Sequence, residues 1–573
     1  MNKQKARPVS VRPPVADITA LTEAGVDPVL QRIYAARGVR SVEELDYGLG
    51  GILPVSSLTG IGEAVELLLA HVDKRITIVG DFDADGATST ALVMRCLNEF
   101  GINDVGYLVP NRLRFGYGLT PEIVRVAAER QPDLLITVDN GVSSVEGVEV
   151  AHQLGMKVLI TDHHLPGTKL PAADANVNPN LVGSTFGSPN LAGVGVAFYL
   201  MAALGRALEN GGRTGAARLP AKYLDLVALG TVADVVRLDH NNRILVNQGL
   251  ARIRAGRSVP GITALFNQAR RSAARAVSTD LGFVAGPRLN AAGRLEDMSV
   301  GIECLLTDDV NVAAGFAVQL DEINRARKDI EARMRDEAFA YVDKMEARNL
   351  PPCVCLYDES WHQGVVGLIA ARVRERCDRP VIAFAREKAG LLKGSARSVP
   401  GVHVRDLLEA VSTIAPGLIE RFGGHAMAAG LSLAEENITR FSELASQALN
   451  ERYPDADFSG TILTDGELQE EKLSLEFARM LREGGPWGAG FPEPVFTGEF
   501  NIVEQRTVGE NHLKMRVQRG LGGKPIDAIA FNQAGPAYRG PVQLTYRLDV
   551  NEYRGFENPQ LMVEQIVNIQ AAP

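Results

Sequence analysis

Three short apolar runs in the first third of the chain each end in an acid. "ITIVG" (Ile76–Gly80) leads into Asp81, Asp83 and Asp85, "LLITV" into Asp139, and "KVLIT" into Asp162, His163 and His164. Continuous apolar runs separated by amphipathic stretches such as "STALVMRCLNEFG" and "PEIVRVAAER" predict parallel strands covered by helices on both faces. In an open parallel sheet the carboxyl ends of the strands share one rim, and ligands bind there. One acid after a strand is usually a helix N-cap. Three strands ending this way, one of them in "DHH", predict a site.

Like charges gathered on a buried rim repel, so something positive has to sit among them. Carboxylates and imidazole without cysteine suit Mg²⁺ or Mn²⁺, and the histidine tilts the choice toward Mn²⁺. The number of acids argues for two ions, with one carboxylate bridging them at about 3.5–4 Å, the arrangement of two-metal phosphoesterases. Asp234 in "LGTVADVV" is a further candidate, because an unpaired carboxylate among small apolar residues is costly. A helix cap or a buried hydrogen bond is the competing reading of that residue.

At 573 residues the chain is too long for one core. It reads as an α/β multidomain protein: a helical lead-in over 1–70, a parallel-sheet domain over 71–308, a long connecting helix over 309–349, a second, smaller α/β domain over 350–453 and a C-terminal β-barrel over 454–573. The connecting segment lacks proline and carries apolar residues at helical spacing (Phe316, Leu320, Ile323). The last part ("HLKMRVQ", "IDAIAFN", "VQLTYRLDV") alternates apolar and polar residues. That predicts a small antiparallel barrel or sandwich, with a five-stranded oligonucleotide-binding fold as one candidate.

No apolar stretch is long enough to span a bilayer, and "MNKQKARPVSVRPPV" lacks the apolar core of a signal peptide, so a cytoplasmic location is expected. Five cysteines (Cys96, Cys304, Cys353, Cys355, Cys377) without metal-binding spacing fit a reducing compartment. With a net charge of −9, any polyanion-binding surface has to be local. Its candidates are "NRLRFGYG" (Asn111–Gly118) and "ARRSAAR" (Ala269–Arg275), the second reading equally well as a solvated helix face.

"VGDFDADG", "TVDNG", "TDHHLPG" and "GTVADVV", in this order, resemble the motifs of the DHH phosphoesterase superfamily. Downstream, "GPRLNAAGRLEDMSVGIECLL", "WHQGVVGLIAARV", "LKGSARSV" and "FGGHAMAAGLSL" resemble its single-strand-specific DNA exonuclease branch. The resemblance runs over nearly the whole chain. It implies a 5′→3′ exonuclease that releases 5′-mononucleotides from single-stranded DNA, in DNA recombination, mismatch excision and fork repair.

The resemblance also implies roles. Asp83 and Asp85 each favour a different ion, Asp139 bridges both, and His163 and Asp234 complete the ligands. Many members of the superfamily carry a histidine where this chain has Val79, and Asp81 stands in as a ligand. His164 lies beside the scissile phosphate. Arg112 and Arg294 contact DNA phosphates, while in the second α/β domain Ser395 and Arg397 bind a terminal phosphate and His425 reaches toward the substrate. Implied partners are single-strand-binding protein and a RecQ-type helicase, and the protein acts as a monomer with no membrane association. Two alternatives stay open: a phosphodiesterase of the same superfamily acting on short oligonucleotides or cyclic dinucleotides, and a non-catalytic DNA-binding replication scaffold.

Overall fold

The computed structural model describes residues 6–111, 118–346, 349–509, 511–520, 522–535, 537–553 and 555–569. The chain packs as two units, Met1–Asp321 together with Leu463–Pro573, and Glu322–Ile462.

The first unit is built on a five-stranded parallel sheet: β1 (Ile76–Gly80), β2 (Val105–Leu108), β3 (Leu134–Val138), β4 (Lys157–Thr161) and β5 (Ala175–Val177), in the order β2-β1-β3-β4-β5. Every residue of β1 and β3 is buried, as expected for strands covered on both faces. The helices that matter for the site are α1 (Ala84–Glu99), α2 (Gly193–Asn210), α3 (Leu224–Ala233) and α4 (Gly286–Leu295). The long helix α5 runs over Val310–Glu346.

In the second unit, β6 (Val354–Tyr357), helix α6 (Val366–Cys377), β7 (Val381–Lys388), β8 (Leu391–Arg397), β9 (Arg421–Gly424) and β10 (Ala428–Ala434) form a mixed sheet in the order β9-β10-β8-β7-β6. Phe384 and Phe441 meet edge-on in its core. Cys353 is buried at the start of this sheet, and all five cysteines are free thiols.

The C-terminal barrel comprises β11 (Phe496–Val508), β12 (His512–Gln518), β13 (Ile526–Ala530), β14 (Pro541–Tyr553) and β15 (Phe556–Asn568), closed in the order β11-β12-β13-β15-β14. The alternation in "VQLTYRLDV" puts Val542, Leu544, Tyr546, Leu548 and Val550 inside. One expectation needs correction: the barrel is not wholly antiparallel. β13 and β15 pair in parallel, Asp527 opposite Gln560, because the connection between them passes through β14 and returns in the same direction.

Within the first unit, the lead-in ties the C-terminal part to the parallel-sheet part. Arg37 donates to both carboxylate oxygens of Asp465 (2.7 and 3.0 Å), to Pro492 O and to Ile33 O, with both charged side chains almost wholly buried. Tyr34 stacks on Trp487 and Phe491, and Ser278 Oγ donates to Trp487 O at 2.6 Å. Among the described residues no single helix is long and apolar enough to cross a membrane.

Candidate metal centre

The rim of the first sheet holds the predicted cluster. β1 ends at Gly80, and Asp83 caps α1 by accepting from the Asp85 and Gly86 amides at 2.9 and 3.0 Å. Asp83 is therefore a helix cap as well as a member of the acid cluster. Asp85, in the first turn of α1, accepts from the Gly193 and Val194 amides at the start of α2 (2.6 and 2.9 Å). The tight seat explains Gly193, since a Cβ there would lie 2.5 Å from the Cβ of Asp139. Asp139 follows β3 with a left-handed backbone, φ 63°, a conformation aspartate tolerates better than most residues. Asp234 comes in at the end of α3.

These side chains surround one imidazole nitrogen. His163 Nε2 lies 3.1 Å from Asp139, 3.5 Å from Asp234 and 3.9 Å from Asp85. Donor atoms of Asp85, His163 and Asp234, of Asp81, Asp83 and Asp139, and of Asp139, His163 and His164 form three overlapping groups, each within 4.8 Å. Burial, aggravated by the neighbouring acids, pushes the Asp85 carboxyl up to about 7 and raises Asp139 and Asp234 well above the carboxylate range. Oxygen and imidazole donors without thiolate, crowded until they repel, are a donor set that a divalent cation satisfies.

Asp162 behaves differently. Although fully buried, which alone would raise it, its carboxyl is held below the usual range by the His164 imidazole and by backbone donors. It accepts from the amides of Val142 (2.9 Å), His163 (2.7 Å) and His164 (3.1 Å), and from His164 Nδ1 at 2.7 Å. Burial opposes protonation of His164, but Asp162, Asp234 and Asp81 outweigh it and lift the imidazole to about 9.

Several supporting residues were not among the predicted set. Asn178 Nδ2 donates to His164 O (2.9 Å), and Asn180 Nδ2 donates to His163 O (2.6 Å). Asn140 Nδ2 bridges the carbonyls of Val79 and Val138, tying the ends of β1 and β3 together. Asn290 of α4 accepts from the Ala84 amide at 2.8 Å. For Asn140, Asn178 and Asn180 the signal was positional: "TVDNG" and "NVNPN" put asparagine just past strand ends on the same rim.

The predicted phosphate contacts divide between the two units. Arg294 is half-buried in the last turn of α4, next to Gly293, whose Cα abuts the Phe82 carbonyl inside the acid motif. Ser395 and Arg397 lie on β8 in the second unit, Arg397 Nη1 donating to Ser395 Oγ (3.1 Å) and Ala396 O (2.8 Å). Both side chains approach Gly367 in the first turn of α6, where an added Cβ would sit 2.9 Å from Ser395 Oγ and 3.0 Å from Arg397 Nη2. Hydroxyl, guanidinium and a helix N-terminus are all groups whose donors suit an anion. Ala428 pairs with Arg397, so the turn bearing the exposed His425 stands at the same end of that strand. Arg112, with most of the cluster 111–118, lies outside the described residues. Arg275 of the other basic cluster is engaged by Glu552 and Glu557 of the barrel.

A parallel sheet that gathers aspartates and a His-His pair on its carboxyl rim is the framework of the DHH phosphoesterases. The pattern of the DHH family, N-terminal domain, matches residues 75–231, that of the DHHA1 domain 350–451 and that of the RecJ OB domain 464–565. The chain is 49 % identical to the single-stranded-DNA-specific exonuclease RecJ of Escherichia coli, covering 97 % of this chain and 99 % of that one. It is 51 % identical to RecJ of Dickeya dadantii, with 94 % and 96 % covered. The solved structure of RecJ from Thermus thermophilus in complex with Mn²⁺ matches with a TM-score of 0.82 at 31 % identity, over 100 % of this chain and 81 % of that one. The chain belongs to the RecJ family of single-stranded-DNA-specific exonucleases.

Proposed function

We propose that this chain hydrolyses single-stranded DNA from its 5′ end, releasing 5′-mononucleotides, with Mn²⁺ or Mg²⁺ held by Asp81, Asp83, Asp85, Asp139, His163 and Asp234. The observation that carries the proposal is the convergence of Asp85, Asp139 and Asp234, from three separate segments, on His163 Nε2. Two divalent cations, when bound, supply the charge that offsets these carboxylates and the phosphate and that acidifies an attacking water.

The chain's own residues do the rest. Asp162 holds Nδ1 of His164, which leaves Nε2–H for the substrate. As the water oxygen bonds to phosphorus and the bond to the departing 3′ oxygen breaks, His164 gives its proton to that oxygen. Ser395, Arg397 and His425 bind the terminal phosphate, and Arg294 and Arg112 bind backbone phosphates. Residues 71–308 carry the chemistry, 350–453 hold the strand's end and 454–573 guide the incoming strand by stacking and charge. Action in the cytoplasm, as a monomer, alongside single-strand-binding protein and a RecQ-type helicase belongs to the same proposal.

The test is digestion of single strands labelled at either end, in a Mn²⁺ and Mg²⁺ series. Immediate release of a labelled mononucleotide from the 5′ end, abolished by chelator and by Asp139→Ala, is the expected result. Release first from the 3′ end, or cleavage that survives chelation, would contradict it.

A further inference from the structure

Among the exposed apolar side chains of the described residues, Leu165 follows His164, and Val235 and Phe283 lie by the end of α3 that delivers Asp234. Val235 directly follows Asp234, is 70 % exposed and has φ 61°, a left-handed conformation unfavourable for a β-branched residue. Phe283 is 79 % exposed and lies in a π-helical turn, Leu281–Ala285, that leads into α4. That turn packs on the end of α3. Gly282 faces the Val232 side chain and Gly286 faces Ala233, so Phe283 is carried beside the residues that deliver Asp234.

Single exposed hydrophobic residues are common and need no explanation. This one is different because the segment presenting it is pinned at both ends. Upstream, Ser278 is hydrogen-bonded to Trp487 O. Downstream, Arg288 pairs with Asp321 and donates to Val284 O (2.7 Å), while Asn290 holds the Ala84 amide. Phe283 therefore cannot fold back into the core without breaking these bonds. π-helical turns occur frequently at functional sites, and here the turn places an aromatic face in solvent at the edge of the acid rim. The same segment continues to Arg294, one of the candidate phosphate contacts.

We infer that Phe283 is a platform on which a nucleobase of the bound strand stacks beside the hydrolysed phosphodiester. A stack on an aromatic face accepts any base, which suits an exonuclease that has to advance through every sequence. The inference rests on the nuclease reading above.

The test compares 3′-labelled single strands whose first three 5′ nucleotides are either intact or abasic. The wild-type protein is expected to cleave the intact strand with a kcat/KM about tenfold higher, at the lower end of what one base–aromatic stack contributes. Phe283→Ala should lower cleavage of the intact strand to the abasic level while leaving the abasic strand unchanged, and Phe283→Trp should restore the preference. Equal loss on both strands, or an undiminished preference in Phe283→Ala, would overturn the platform while leaving the nuclease reading intact. Failure of the wild-type protein to cleave either strand would overturn both.

Discussion

His164 Nδ1 lies 2.7 Å from Asp162 Oδ1, and that one carboxylate also gathers three backbone amides from two loops. The first letter of "DHH" thus serves to orient the third, while the imidazole of the middle residue is the one that Asp85, Asp139 and Asp234 surround.

This pairing sets a pH dependence. A histidine raised to about 9 is a proton donor below that pH and loses the role above it. At saturating Mn²⁺ the cations offset the share owed to Asp234 and Asp81, so kcat is expected to fall on an alkaline limb that the Asp162 pairing keeps above the ordinary imidazole value. In Asp162→Asn the fall should begin near the ordinary imidazole value, about 6.5, with kcat at neutral pH lowered on the order of 10²- to 10⁴-fold. An unchanged alkaline limb in that variant would separate His164 from proton donation.

Asn178 and Asn180 hold the carbonyls of the two histidines, so their effect should reach the cations through loop geometry. Substituting Asn180 by Ala is expected to weaken Mn²⁺ binding about 10- to 100-fold, as removal of residues supporting metal ligands does. Calorimetry reads this without any substrate, and unchanged affinity would make Asn180 a loop brace only.

The raised carboxyls have a consequence for stability. Asp85, at about 7 in the folded protein against 3.8 for the free side chain, stabilises the fold while protonated, and that contribution is lost as pH rises through 7. The cation-free protein should therefore melt at lower temperature at pH 8 than at pH 5. Mn²⁺ should reverse the trend at pH 8, because binding requires the deprotonated groups and stabilises the folded state by mass action. A cation-free melting temperature that rises with pH over this range would contradict the crowding of acids.

Arg37 and Asp465 test the tie between the lead-in and the C-terminal part. Removing one member of a buried, fully hydrogen-bonded ion pair costs about 3–5 kcal/mol, so Arg37→Ala should markedly lower the melting temperature. Arg275→Ala, which breaks a half-exposed pairing with Glu552 and Glu557, should cost no more than about 1 kcal/mol.

Legibility in the sequence followed the range of the interactions. The acid rim was readable because each acid immediately follows its own strand, and parallel topology alone brings those ends together. The barrel was readable because burial on one face writes a period of two into β12, β13 and β14. Arg37 with Asp465 was not, since a pairing across 428 positions leaves no local pattern. The parallel closure of β13 on β15 is likewise a matter of connection rather than composition. Asp162 looked like one more cluster acid, and only its hydrogen bonds show that its lone pairs are already taken. Ser395 and Arg397 were identified by resemblance, and the structure adds Gly367 in the first turn of α6 as their neighbour.

The central claim is that the rim of the first sheet is a site for divalent cations. Anomalous diffraction at the manganese edge, from crystals grown with Mn²⁺, tests it most directly. Two peaks among Asp81, Asp83, Asp85, Asp139, His163 and Asp234, at least one of them lost in Asp139→Ala, are predicted. A map with no peak there while manganese appears elsewhere on the chain would contradict it.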